Sequence, residues 1–166
     1  MEESLVVAGL TSGPLFPDAL AALTSAGWRP GRRVDPEAAE RRLVGHGFVV
    51  HEPARQFLSE FSGLFVRADA LVAYADFSPD VVVKRFTSSE IELLNRHFGD
   101  RFCPVGYAGV FGVFVGAAGG RLLVSETLDH VFQTSADVDL LNRLFSTHPG
   151  QPGLVSLPAD FVPSDW

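Results

Sequence analysis

Four sets of residues have the types and spacing to do chemistry. Cys103 is the one thiol in 166 residues, and a thiol with a distant histidine can make a nucleophile. It precedes Pro104 inside an apolar stretch, which favours a buried, inert thiol over a reactive thiolate. His46 with His51, or His97 with His130, could ligate a metal. No second cysteine and no HExxH or CxxC spacing accompanies them, so structural or surface histidines are expected. Asp76 with Asp80, and Glu90 with Glu92, could serve as acid–base pairs, although paired carboxylates are common on any surface. Arg29, Arg32 and Arg33 could grip phosphate or carboxylate. The alternative is an interhelix loop whose arginines bond helix carbonyls or pair with Glu37 and Glu40, with Trp28 anchored at the edge of the core. There is no Walker loop, GxGxxG or GxSxG. No catalytic residue, cofactor or metal is therefore expected, and the chain is read as a binding protein.

These residues must be held by elements that the sequence punctuates clearly. Phe16, Leu20 and Leu23 recur at helical spacing, with Pro17 in the first turn and Gly27 at the end. Asp35-Pro36 opens a second helix that Gly45 and Gly47 stop, with Glu37 and Arg41 spaced for an i,i+4 pair. Phe48-Val49-Val50 is a short extended piece. A third helix begins near Pro53, its buried stripe formed by Ala54, Phe57, Leu58 and Phe61, and Gly63 closes it. Apolar runs of strand length follow at Leu64-Phe65-Val66, Leu71–Ala75 and Val81-Val82-Val83. Thr87 to Glu90 matches a capping box and opens a helix with Ile91, Leu94 and Phe98 inward; Gly99 ends it. A hairpin over 110–124 precedes a strand at His130-Val131-Phe132. Ser135 caps a last helix with Val138, Leu141 and Phe145 inward. This order predicts an α+β fold with a mostly antiparallel sheet, not the alternation of a parallel one. The expected organisation is one domain over 1–146 with a Pro/Gly-rich tail over 147–166, packed on the domain or partly ordered.

Residues 102–120 are nineteen residues without a charge, and Gly112 and Gly116 have GxxxG spacing. The length suits a membrane helix. Six glycines and Pro104 argue against it, each glycine costing a helix about 1 kcal/mol, and the valines and phenylalanines suit buried strand. No membrane partner is expected. The net charge of −7 argues against a general nucleic-acid binder and favours a basic partner. The charge is uneven: residues 29–55 hold six arginines and four acids, and the remainder holds seven bases and sixteen acids. An acidic N-terminus without a basic n-region, and a single cysteine, fit a cytoplasmic, reducing location.

One family resemblance joins these fragments. Ala26-Gly27-Trp28-Arg29-Pro30-Gly31-Arg32-Arg33-Val34-Asp35 resembles the opening of the third subgroup of the SUKH immunity superfamily. Ala54 to Leu64 is similar to its helix ending in a Phe-Gly-Gly-Leu-like turn, with Ser62 in place of the first glycine. Phe102-Cys103-Pro104-Val105-Gly106 resembles its Pro-hydrophobic-Gly approach to the central hairpin. Phe114-Val115-Gly116, Gly120-Arg121-Leu122 and Leu141-Asn142-Arg143-Leu144 resemble its closing half. The resemblance covers about residues 16–146. It implies a twisted sheet flanked by helices and the role of a bacterial immunity protein that neutralises a toxin domain, often a nuclease. It supplies no catalytic residues; Gly27, Trp28, Pro30, Gly31, Phe61, Gly63, Pro104 and Gly106 read as fold-makers.

The expected function is therefore stoichiometric occlusion of a cognate toxin domain in the cytoplasm. An acidic inhibitor can mimic the polyanion that a nuclease grips, and complementary charge speeds encounter. Asp69, Asp76, Asp80, Glu90, Glu92 and Asp100 are the contact candidates, because acids concentrate there. A general interaction or regulatory adaptor of the same fold is the alternative, and a hydrolase or transferase using Cys103 or a carboxylate pair is a third reading. The chain is expected to be a monomer or a weak homodimer, with a strand edge near Val81-Val82-Val83 as a site where two chains could pair.

Overall fold

Three helices lead because the chain supplies three start–stop pairs in succession. The computed structural model describes residues 15–68, 74–109, 111–118, 122–125, 130–134, 137–146 and 155–156. Helix α1 (Pro17–Ser25) has proline in its first turn and is followed by Gly27 at φ 103°, a left-handed value that suits glycine. Helix α2 (Glu37–Gly45) begins where the Asp35 carboxylate accepts the Glu37 N–H at 3.0 Å. Helix α3 (Glu52–Phe61) buries Ala54, Phe57, Leu58 and Phe61 as expected. Phe48–Val50 connects α2 to α3 without joining a sheet.

Strands β1 (Phe65–Arg67) and β2 (Tyr74–Asp76) follow, then helices α4 (Pro79–Arg85) and α5 (Ser88–Phe98). The expected strand at Val81-Val82-Val83 is wrong: these valines lie in α4. Three β-branched residues favour a strand, but the local signals for a helix win. The Ser78 hydroxyl accepts the Val81 N–H, Pro79 opens the first turn beside Asp80, and Lys84 and Arg85 close the last turn. The strand edge imagined there for pairing two chains does not exist. The capping box at Thr87 and Glu90 is present in full, and Gly99 ends α5 in the left-handed conformation.

The remaining elements are β3 (Phe102–Ala108), β4 (Phe111–Gly116), β5 (Leu122–Ser125), β6 (His130–Thr134), α6 (Asp137–Phe145) and β7 (Val155–Ser156). The expected hairpin over 110–124 is β4–β5. Ser135 and the inward direction of Val138 lie outside the described residues, whereas Leu141 and Phe145 are buried. The seven strands form one antiparallel sheet in the order β1-β2-β3-β4-β5-β6-β7. With the six helices among the described residues this is the α+β class anticipated. No helix among the described residues is long and apolar enough to cross a membrane.

The charge-free stretch is explained by burial on both sides of β3 and β4. Opposed residues share a face. One face carries Pro104 and Tyr107 opposite Phe114 and Gly112; there Phe86, at the end of α4, packs edge-on to Phe114 at 5.2 Å. The other carries Gly106 and Ala108 opposite Val113 and Phe111, facing Phe77 and, behind it, Phe57 and Phe61 of α3. A register shift between Pro104 and Gly106 lets the proline sit in an inner strand, since a bulge needs no ladder N–H at that point. Helix α1 packs on α6 and β1, and the Phe16 N–H donates to Asn142 Oδ1 at 2.7 Å, joining positions 126 residues apart.

Gly106 is set by contact, not by conformation. An added Cβ would stand 2.5 Å from Phe77 Cδ1 and 2.9 Å from the Asp76 carbonyl oxygen. Gly106→Ala is expected to destabilise the fold by about 1–3 kcal/mol through overpacking, measured as a lower urea midpoint at unchanged slope.

Candidate functional site

The arginine-rich segment is spent on the fold. After Gly27 the chain turns Trp28 inward until it is 1% exposed. Its indole N–H donates to Glu60 Oε1 at 3.4 Å. The Arg32 guanidinium donates to the Glu60 carbonyl and to the Ser62 carbonyl at 3.1 Å. The Val34 N–H donates to the Ser59 carbonyl at 2.7 Å, and Arg33 donates to the Ser59 hydroxyl at 3.2 Å. Arg32 therefore bonds helix carbonyls, as one of the two expectations held. Glu40 pairs instead with Arg55, at 3.0 Å. The expected Glu37–Arg41 pair does not form; on α2 it is Arg42 that pairs, with Asp80 of α4 at 3.0 Å.

Glu60 is the residue that sequence reasoning passed over. It is 3% exposed, and burial pushes its carboxyl up to about 7, against the Trp28 hydrogen bond and the nearby Arg33 and Arg32. Burial also lowers the pKa of Arg32, which the Glu60 charge partly offsets. The signal was available: Glu60 stands three residues after Phe57 and one before Phe61, on the buried stripe of α3.

The other sets separate in the same way. Cys103 is fully buried in β3, and burial pushes its thiol to about 12. His51 caps α3: Nδ1 accepts the Ala54 N–H at 3.2 Å, and Nε2 donates to the Val115 carbonyl of β4 at 2.9 Å. Burial holds its pKa below the ordinary histidine value, consistent with a neutral ring that bridges helix and sheet. His46 packs against Phe48 and His97 against Phe98. No group of His, Cys, Asp and Glu that could hold a metal occurs among the described residues.

Asp69 lies outside the described residues. Asp76 ends β2 and accepts the Ser78 N–H at 2.9 Å, and Asp80 follows on the first turn of α4, paired with Arg42. Glu90 accepts the Thr87 N–H at 2.7 Å within the capping box. Glu92 lies two residues further on α5, so the two carboxylates face different sides and form no acid–base pair. Asp100, beyond the far end of α5, accepts the N–H groups of Arg101 and Ala118 at 2.7 and 3.1 Å. The structure thus brings Asp76 and Asp80 to one turn and does not gather all the acids at one point. Glu92 instead lines a cleft of about 360 Å³ with Phe48, Val49, Ser88 and Arg101. Its opposed charges and the exposed Val49 suit a partner's side chain better than a reaction.

In a comparison with known families, the model of the family described as SUKH-3 immunity protein matches residues 16–144. No curated protein and no solved structure matches the chain.

Two measurements check these environments. In folded protein at about pH 8, Cys103 is expected to resist an aromatic disulfide reagent and to react fully only in denaturant. For Glu60 the folded pKa of about 7 exceeds the ordinary 4.5, so the folded state binds the proton more tightly. Its contribution to stability then falls as pH rises from about 4.5 through about 7, by up to about 3 kcal/mol. Glu60→Gln is expected to flatten that slope in urea titrations and to be the more stable form at pH 8.

Proposed function

The chain belongs to the SUKH-3 immunity protein family, and from that premise we propose that it binds and neutralises a cognate bacterial toxin domain in the cytoplasm of the cell that makes it. The family match over residues 16–144 carries this reading. The inhibitor acts by occlusion, one chain per toxin. A nuclease is the toxin class that suits it best: such an enzyme displays cations to hold its substrate, and a chain of net charge −7 is drawn to that field.

The acidic contacts proposed are Asp76, Asp80, Glu90, Glu92 and Asp100, with Asp69 beside them in sequence. Several of these oxygens already accept backbone N–H groups or pair with arginine, so their charge contributes as a field more than as free hydrogen-bonding groups. Residual Coulomb attraction of this kind governs association rate and is screened by salt.

Co-expression with the polypeptide encoded immediately upstream is expected to restore growth and to yield a one-to-one complex whose association slows as salt rises. Asp→Asn and Glu→Gln changes, which keep the acceptor oxygens that cap the helices, are expected to slow association of the folded chain. A harmless neighbour, or one that neither binds nor is neutralised, removes the immunity reading.

A further inference from the structure

At the β1 edge of the sheet, β1 and β2 have one buried side and one more open side. Val66 and Ala75 oppose each other across β1 and β2 and are fully buried. On the opposite side, Phe65 stands across from Asp76, Arg67 from Tyr74, and Asp76 from Tyr107 of β3. These five side chains therefore share one face. Phe65 is 45% exposed, the one aromatic among the large hydrophobic side chains exposed in the described residues.

The face is ordered without a partner. Phe65 and Tyr74 stack with centroids 5.6 Å apart and planes 18° apart. The Arg67 guanidinium lies over Phe65 at 5.5 Å, and that of Arg85, from the last turn of α4, lies over Tyr107 at 4.8 Å. Neither arginine joins an ion pair among the described residues. Aromatic rings with arginine are the composition that anchors protein interfaces, and rings already fixed by stacking lose little freedom on binding.

We infer that this face docks the toxin domain, a partner protein that presents carboxylates around an apolar contact; the inference rests on the immunity function proposed above. The charge of the face decides the partner's chemistry. Two exposed guanidinium groups flank one carboxylate, Asp76, whose Oδ1 already accepts the Ser78 N–H. Among the described residues of this face the balance is positive, in a chain of net charge −7, and such a balance is complementary to acids. The overall charge acts at range on a cationic toxin, and Arg67 and Arg85 act in contact, on carboxylates within that toxin's surface. A second copy of this chain fits less well, because a two-fold contact would set the same patch, with its arginines, against itself.

The test uses the full chain and the purified polypeptide encoded immediately upstream, with affinity measured for wild type, Phe65→Ala, the Arg67→Glu/Arg85→Glu double variant and, as control, Arg41→Ala on α2. The substituted side chains are exposed, and urea unfolding checks that each variant folds; should one fail to fold, the other decides. Losses of tenfold or more in both folded variants, with the control within twofold of wild type, are expected. A smaller loss in either folded variant overturns the docking face and leaves the immunity reading intact. Failure of the wild type itself to bind removes the immunity reading and the docking face together. A wild-type dimer that Phe65→Ala dissolves without weakening toxin binding assigns the face to a second copy and also overturns the inference.

Discussion

The last turn of an α-helix offers carbonyl groups that the helix cannot satisfy, and in α3 those groups organise the fold. The carbonyls of Ser59, Glu60 and Ser62 are taken by Val34 and Arg32 from the segment between α1 and α2. The same segment drives Trp28 into the core, where its indole bonds the Glu60 carboxylate. One short loop thereby ties three helices together. With its end fixed, α3 presents Phe57 and Phe61 toward Phe77 and the sheet, and Gly63, at φ 83°, turns the chain into β1. At its other end His51 fastens α3 to β4. Both termini of one helix are thus anchored, one to a loop and one to a strand.

The scaffold and the exposed surface thus draw on different residues. The residues with the most distinctive sequence pattern, Trp28 and Arg32, face inward and serve the scaffold. The exposed Phe65 and Arg67 sit on the thin edge strand β1 and Arg85 at the end of α4, where a substitution costs little packing. Exposed residues on such a body can change while the caps and the buried stripe stay fixed.

Local chemistry was legible in the sequence, and non-local chemistry was not. Thr87 with Glu90, Asp35 before α2, and Gly27 and Gly99 after their helices act within a few residues of themselves, so reading along the chain found them. The apolar run through Phe102–Gly116 was read as buried strand because glycine and proline speak against a helix. In Val81-Val82-Val83 the side-chain preference for strand is overridden by the Ser78-Pro79-Asp80 helix start. The concentration of acids marks contact candidates, yet Asp76, Glu90 and Asp100 spend oxygens on backbone N–H groups, a distinction that no count of carboxylates can draw. The stack of Phe65 on Tyr74 depends on strand register, which only the folded sheet supplies.

The meander order, in which every strand lies beside its neighbour in sequence, has a consequence for how the fold is reached. The β1–β2, β3–β4, β4–β5 and β5–β6 pairs can each close over a short connection at small entropic cost, whereas β2–β3 spans α4 and α5 and β6–β7 spans α6. The contact between α1 and α6, with its Phe16–Asn142 hydrogen bond across 126 residues, is of the opposite kind. It cannot form until nearly all of the domain has left the ribosome. Helix α1 must therefore wait through most of the domain's synthesis for its partner, and although made early it is among the last to be locked in place.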